Sequence, residues 1–150
     1  MLGGRPVTGV TEPDLLAAAR RVIDAVNRRD VDVLMSVLAP DYVAEWPDAT
    51  LDRDASIGRE IEMMTGFPDL RFDIGTATML ADDRVLVEAT VVGTHTDDLV
   101  LPFGITLAPT GRTLSMPFDF IMTFADGQLT HERLRFDHHV LIHQLRDPAR

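Results

Sequence analysis

The chain has 150 residues, 45% of them hydrophobic, and a formal net charge of −10, which together fit one acidic globular domain with a core of its own. It has no cysteine and no lysine, since all fourteen basic residues are arginine, so disulfides, cysteine zinc sites, Schiff-base catalysis and a Walker-type phosphate lysine are excluded. The acidic balance argues against nucleic-acid binding, and the lack of a long apolar run or a signal peptide predicts a cytoplasmic protein without a membrane span.

Three helices are predicted in the first half of the chain, after an arm over residues 1–11 that we expect to be flexible. Thr11 caps a first helix, whose apolar side chains recur at helical spacing as far as about Asn27. Asp30 caps a second, short helix, VDVLMSVLA. A third helix is predicted over residues 54–65.

The second half of the chain has the pattern of an antiparallel sheet. Segments rich in strand formers alternate with turn sequences such as ADD, TDD, PTG and ADG. The predicted strands cover residues 70–80, 84–95, 98–107, 112–124 and 128–137, and a helical turn or two follows over 138–145. Helices first and a meander afterwards predict an α+β domain, with the helices on one face of a curved sheet.

Several strings, taken in their order along the chain, resemble the SnoaL-like (polyketide cyclase-like) branch of the NTF2-like superfamily. They are AVNRRDVDVLMSVLAPDYV, FPDLRFDI, VVGTHTDD, PTGRTLSMPFDF and FADGQLTHERLRFD with the closing HQL, and the match runs from about residue 14 to 145. The resemblance implies an NTF2-like cone, in which a curved mixed or antiparallel sheet encloses a pocket and three N-terminal helices pack on its concave face.

The same resemblance implies a homodimer that takes a small apolar or polyketide-like molecule and uses no metal and no organic cofactor. A buried carboxylate, sometimes with a histidine, works as general acid and base in such cyclases. Two departures stand out here. The segment from Leu99 to Pro109 is longer than the usual link, and His131 and Arg133 stand where many relatives carry a glutamate and a tryptophan.

The last two predicted strands carry the candidate polar wall of the pocket. One face of the final strand would hold His131, Arg133, Arg135 and Asp137. The other face would hold Glu132, Leu134 and Phe136. A three-residue loop, 125–127, sets Asp119 opposite Arg133, whereas a two-residue loop sets it opposite Leu134 and exchanges the faces. The family pattern favours the first register, and the alternative use of these charges is ion pairing on the sheet surface or at a dimer contact.

Three further residues are candidates because of where they stand. His95 ends a strand, where it would act as a base or polarise a substrate oxygen, or else be a hydrogen-bonded strand-end histidine. Tyr42 and Trp46 follow the second helix, where cavity-lining residues of this fold lie, although single aromatic residues there are commonly core. His139 and His143 have the spacing of two metal ligands on a helix but lack an accompanying H-E-x-x-H glutamate, so we predict no metal site.

The sequence therefore predicts a small cofactor-independent enzyme that applies acid–base chemistry, of the cyclase, isomerase or dehydratase type, to an apolar carbonyl-containing small molecule in an enclosed cavity. Its predicted residues are the proton carriers Asp119 and Asp137, the oxygen-polarising His95 and Tyr42, and the pKa-setting or anion-binding Arg133 and Arg135. The alternative is a non-catalytic small-molecule-binding or dimerisation module on the same fold.

Overall fold

Four α-helices and eight strands alternate along residues 11–146, the part of the chain that the computed structural model describes, leaving aside the side chain of Phe103. The helices are α1 (Glu12–Asn27), α2 (Val31–Val37), α3 (Arg53–Gly66) and α4 (His138–Leu145). The strands are β1 (Leu38–Trp46), β2 (Ala49–Asp52), β3 (Arg71–Ala81), β4 (Arg84–Thr94), β5 (Leu99–Leu101), β6 (Ile105–Leu107), β7 (Thr113–Ala125) and β8 (Gln128–Arg135). The arm predicted over residues 1–11 lies outside the described residues, apart from Thr11.

Six of these strands form one curved sheet in the order β2-β1-β8-β7-β4-β3. The β1–β8 pair is parallel, and the other neighbouring pairs are antiparallel. The sheet is not closed into a barrel, since β2 and β3 stand at its two edges. Breaks of register in the β1–β8, β3–β4 and β7–β8 pairs give it places to bend.

The helices lie against the inner face of this sheet. At the start of α1, Thr11 and Asp14 form a reciprocal capping box, and its buried stripe packs on β3 and β4. The helix α3, capped by Asp52, packs on β1 and β2. The predicted α+β cone is confirmed, with one refinement: β1 and β2 come between α2 and α3, so only α1 and α2 precede the whole sheet.

The prediction of one continuous strand over residues 98–107 is wrong. The segment forms a separate two-stranded sheet, β5 with β6, around a 3-10 turn over Pro102–Gly104. Pro102 fixes its own φ and has no N–H for a ladder, and Gly104 has φ +75°, which favours glycine. The extra length that distinguishes this segment is therefore a short hairpin.

The register of the β7–β8 hairpin also differs from the prediction. Its loop is the two residues Asp126 and Gly127, both with positive φ, but the register shifts beyond Leu129 because Thr130 is left without a partner. Asp119 consequently lies opposite Arg135, and neither Arg133 nor Leu134. The side chains of Phe118, Phe120 and Met122 are buried on the inner face, so the odd-numbered stripe of the predicted wall lies on the outer face.

Gly58→Ala and Gly66→Ala make a matched pair of substitutions in α3. No heavy atom lies within 4 Å of a Cβ built on Gly58, so alanine there should stabilise the protein by about 0.5–1 kcal/mol through helix propensity. A Cβ on Gly66 would lie 2.9 Å from Leu99 Cβ and 3.1 Å from Leu99 Cα, so alanine there should destabilise by about 1–3 kcal/mol. Urea unfolding followed by circular dichroism measures both changes. Equal effects would contradict the close packing of α3 on β5.

Candidate functional site

A small cavity lies between the three N-terminal helices and the sheet. Its walls are Val22, Ile23, Val26, Leu34, Leu38, Tyr42, Ser56, Ile57, Glu60, Phe120 and Glu132. Seven of these side chains are aliphatic or aromatic hydrocarbons, and the free space in this conformation holds about one water molecule. We call this space the inner cavity.

The polar centre of the inner cavity is a hydrogen bond between Tyr42 and Glu132. Parallel pairing of β1 with β8 sets Ala44 opposite Glu132, and Tyr42 shares the face of Ala44 because it stands two residues earlier. The Tyr42 hydroxyl donates to Glu132 Oε1 over 2.5 Å, and both side chains are buried, at 2% and 3% exposure. Ninety residues of sequence therefore separate the two halves of this contact.

Glu60 is the second carboxyl group at the inner cavity. It stands on the same face of α3 as Ser56 and Met63, both buried, at helical spacing. The residue is half-buried and lines the inner cavity, and no hydrogen bond reaches its carboxyl group from residues 11–146. Of the two carboxyl groups at the cavity, it is the one without a fixed partner among those residues.

The surroundings shift the pKa of all three acidic groups upward. Burial, and then the charge of Glu132, raise the pKa of Glu60 to about 8. Burial raises the pKa of Glu132 to about 7, against the opposing effect of the hydrogen bond from Tyr42. Burial and the two neighbouring carboxylates raise the pKa of Tyr42 far above its ordinary value. At neutral pH the inner cavity therefore holds a proton donor, Glu60, beside a carboxyl group close to its own midpoint.

Trp46 contacts Ser56 of the inner cavity and lines a second small space, whose walls include Phe136 and His138 of the neighbouring cleft. Its indole N–H donates to Ser56 Oγ over 3.0 Å, and its ring meets the edge of Phe136 at 6.0 Å. The Arg59 guanidinium lies over the other side of the indole, 5.2 Å from the ring centroid, and makes a two-pronged salt bridge to Asp48 at 2.8 and 3.1 Å. Three independent contacts therefore hold Trp46 in place.

Beyond Trp46 a cleft of about 540 Å³ opens to solvent. Its walls are Pro47, Asp48, Leu101, Pro102, Ile105, Phe136, Asp137, His138, His139 and Ile142. Asp137 caps α4 by accepting a hydrogen bond from the His139 N–H over 2.8 Å. Burial lowers the pKa of His138, so its imidazole is neutral at physiological pH. Of the predicted proton carriers, Asp137 is thus at the mouth of the cleft, in a capping role.

The remaining stripe of predicted wall residues lies on the outer face of the sheet. Asp119 pairs with Arg135 at 3.5 Å, and Glu45 accepts from Arg133 at 2.9 Å and from His131 at 2.6 Å. The hydrogen bond from Arg133, reinforced by the charges of both partners, lowers the pKa of Glu45. These side chains are part-exposed, and the structure separates them from the inner cavity by the thickness of the sheet.

His95 lies apart from both groups. It is fully buried at the end of β4, its Nδ1 is 2.9 Å from Thr110 Oγ1, and its ring meets that of Phe67 with centroids 5.5 Å apart. Its Nε2 is buried and has no hydrogen-bond partner in the described part of the chain. Backbone bonds from His95 to Gly111 and Arg112 also tie together the two ends of the β5–β6 segment.

The structure brings together Tyr42 and Trp46 from the predicted set and adds Ser56, Glu60 and Glu132. The signals for the two glutamates are present in the sequence. Glu132 alternates with the apolar Leu134 and Phe136, and Glu60 interrupts an apolar stripe of α3. An acid in an apolar stripe is a stronger mark of a buried site than acids that alternate with arginine.

Within residues 11–146, no three histidine or acidic side chains are grouped so that they could hold a metal ion. No helix of that part of the chain has the length and apolar character needed to cross a bilayer.

Comparison with known proteins identifies the family. The sequence profile of the SnoaL-like domain matches residues 19–132. A sequence search of curated proteins finds no match. Among solved structures, a proposed SnoaL-like polyketide cyclase from Jannaschia sp. CCS1 is 20% identical with a TM-score of 0.81, over 97% of this chain and all of the other.

Two structures from Streptomyces have the same fold. AclR from Streptomyces galilaeus, a proposed hydroxylase, is 23% identical with a TM-score of 0.74, over 88% of this chain and 80% of its own. IdmH from Streptomyces antibioticus, a proposed polyketide cyclase, is 23% identical with a TM-score of 0.74, over 87% of this chain and 97% of its own. At these identities the likeness establishes the fold alone.

Glu60→Gln should change the pH dependence of stability. The folded protein keeps the proton of Glu60 up to about pH 8, whereas the unfolded chain releases it near the ordinary pKa of 4.5. Between those values the folded state binds more protons, so wild-type stability falls as pH rises, and glutamine removes this contribution. The difference in melting temperature, variant minus wild type, should therefore increase by roughly 5 °C between pH 5 and pH 8.

Thermal unfolding followed by circular dichroism at matched pH values measures this gain. Glu88→Gln removes an exposed glutamate on the outer face and serves as the control. A difference between Glu60→Gln and wild type that stays constant with pH would show that the carboxyl group is solvated.

Proposed function

The chain belongs to the SnoaL-like domain family, and from that premise we propose that it is a small enzyme working by acid–base chemistry on an apolar, carbonyl-containing molecule, without a cofactor. The observation that carries the proposal is the Tyr42–Glu132–Glu60 group, the polar centre of a cavity with hydrocarbon walls. Carboxyl groups with a pKa near the working pH are what general acid–base catalysis requires. In this proposal Glu132 takes the role that the sequence pattern gave to Asp119 or Asp137.

The two glutamates have complementary roles in such a reaction. Glu132, as carboxylate, accepts a proton from the carbon next to the substrate carbonyl, while Tyr42 holds the carboxylate in place through its hydrogen bond. Glu60, as carboxylic acid, donates its proton to the carbonyl oxygen, so that the substrate becomes an enol without net charge. In an isomerisation the enol is conjugated, Glu132 delivers its proton to a different carbon, and the enol O–H proton returns to Glu60. In a ring closure the enol carbon attacks a second carbonyl, whose oxygen takes the proton of Glu132, and the enol O–H proton again returns to Glu60.

Substrate access in this proposal passes Trp46. The free space of the inner cavity holds about one water molecule, whereas the cleft of about 540 Å³ is large enough for a small ligand. Turning the indole away from Ser56 would join the two spaces. The body of the substrate would then lie in the cleft, and its carbonyl end beside Glu60.

The second candidate function is a binding module without catalysis. The observation that favours it is the small free volume around the carboxyl groups, which leaves no space for a substrate unless Trp46 moves. This candidate predicts saturable ligand binding with no chemical change in the ligand, so exchange of substrate protons with solvent distinguishes the two.

Following the family resemblance, we also propose a cytoplasmic homodimer and a polyketide-like substrate. Two of the structures with this fold are themselves proposed polyketide cyclases. Sedimentation of the purified chain tests the dimer.

Glu132→Gln should abolish most of the activity, which is measurable without knowing the natural substrate. A general base of this kind exchanges the hydrogens next to the carbonyl of a cyclic ketone for deuterium in D₂O, and NMR follows the exchange. We expect Glu132→Gln to lower the catalysed rate by about 10²–10⁴-fold. Tyr42→Phe leaves the carboxylate but removes its hydrogen bond, and should lower the rate by about tenfold.

Glu88→Gln, on the exposed outer face, is the matched control and should exchange at the wild-type rate. Loss of exchange in Asp119→Asn together with full activity in Glu132→Gln would overturn the proposal and return the proton-carrying role to the outer stripe.

A further inference from the structure

The ionisable side chains that line the inner cavity are all acidic. Its ionisable groups are Tyr42, Glu60 and Glu132, all acids, and no arginine or histidine of the described residues lines it. Of the two arginines of α3, Arg59 contacts the Trp46 ring and is engaged by both oxygens of Asp48, and Arg53 lies 3.8 Å from the carboxylate of Asp54. A ligand entering the cavity therefore meets no positive charge from the part of the chain that the structure describes.

Most of the hydrogen-bonding side chains at the inner cavity already have partners. The hydroxyl of Tyr42 already donates to Glu132, and Ser56 already accepts from Trp46. The carboxyl group of Glu132 accepts from Tyr42, whereas that of Glu60 has no hydrogen-bond partner among residues 11–146. A protonated carboxyl group that lines an apolar cavity without a partner has one O–H to give, and its best complement is a neutral acceptor such as a carbonyl oxygen.

We infer that the inner cavity selects ligands by charge: it takes the uncharged carbonyl end of a ketone or enone, bound by Glu60, and rejects carboxylates and phosphates. This inference rests on the proposed function only in placing the ligand in the same cavity. It departs from the sequence-based hypothesis, in which Arg133 or Arg135 binds an anionic group, because both guanidiniums pair with acids on the outer face.

Two physical terms oppose an anion. A carboxylate would lose its hydration on entering a hydrocarbon-walled space that offers no counter-charge. It would also approach two acids, and would raise the cost of ionising either of them. A ketone loses one hydrogen bond to water and regains one from Glu60, so its transfer carries neither penalty.

A cation is disfavoured for a different reason. Below about pH 7 both glutamates hold their protons for most of the time. An ammonium group then finds no full negative charge in the cavity and pays its own desolvation. Raising the pH should therefore weaken ketone binding, as Glu60 loses its donor, and strengthen ammonium binding.

Three ligands of one shape test the inference: cyclohexanone, cyclohexanecarboxylate and cyclohexylammonium. Trp46 is the only tryptophan of the chain and donates to Ser56 of the cavity wall, so its fluorescence reports occupancy in titrations of the intact protein. At about pH 6 we expect cyclohexanone to bind at least about tenfold more tightly than either charged ligand. In Glu60→Gln, whose amide keeps a donor but cannot ionise, ketone affinity should lose its dependence on pH.

The double variant Glu60→Gln/Glu132→Gln supplies the second arm. Without either carboxyl group, the penalty against cyclohexanecarboxylate should shrink to less than about threefold, and Glu88→Gln should leave it unchanged. If the double variant does not fold, Glu132→Gln alone should reduce the discrimination by about threefold.

Tighter binding of either charged ligand at about pH 6, unchanged discrimination in the variants, or no binding of any of the three would overturn the inference. The proposed function fails separately: a protein that prefers cyclohexanone but does not exchange its hydrogens keeps the charge selection and loses the catalytic role.

Discussion

The register of β8 against its neighbouring strands decides which of its side chains lie on each face of the sheet. Side chains alternate along a strand, so a shift of one residue exchanges the two faces. The unpaired Thr130 supplies that shift just after the hairpin turn. If the regular pairing of Ala125 with Gln128 continued, Arg133 would face Phe120 in the core and Glu132 would face solvent. Once the helices cover the inner face, burial of the arginine stripe there would cost far more than one bulge, so the irregular register is the stable one.

The carboxyl groups of the inner cavity lower the stability of the folded protein, but they are the groups that the proposed reaction needs. Placing two carboxyl groups at a cavity with hydrocarbon walls is unfavourable, and within residues 11–146 only Glu132 has a donor to offset the cost. Glu60 has no such donor, so its carboxyl group stays protonated at pH values well above its ordinary pKa of 4.5. Replacing such a group by an apolar one is a common route to higher stability with lost activity. An acid that lines the cavity without a partner is therefore more informative about function here than the well-paired charges of the outer face.

The sequence contains enough local information to predict the helices and strands, but not to predict which face of the sheet lies inside. The capping residues Thr11 and Asp30 and the turn Asp126-Gly127 mark boundaries through short-range hydrogen bonds and backbone preferences, and these predictions are close to the structure. The alternation correctly grouped Asp119 with the odd residues of β8. Which face lies inside depends on helices more than 60 residues away along the chain, and the Tyr42–Glu132 contact spans 90 residues. Local pattern alone carries no such information.

The fold leaves the reaction open, because proposed cyclases and a proposed hydroxylase share this backbone at 20–23% identity. In this chain the charged side chains are separated across one sheet. On β8 the odd positions pair with Glu45 and Asp119 outside, and the even position 132 faces Tyr42 inside. Because arginine cannot shed its charge inside a protein, its exclusion from the inner cavity leaves the two glutamates free to exchange protons near neutral pH. An arginine beside either one would hold it ionised, and the cavity would lose its proton donor.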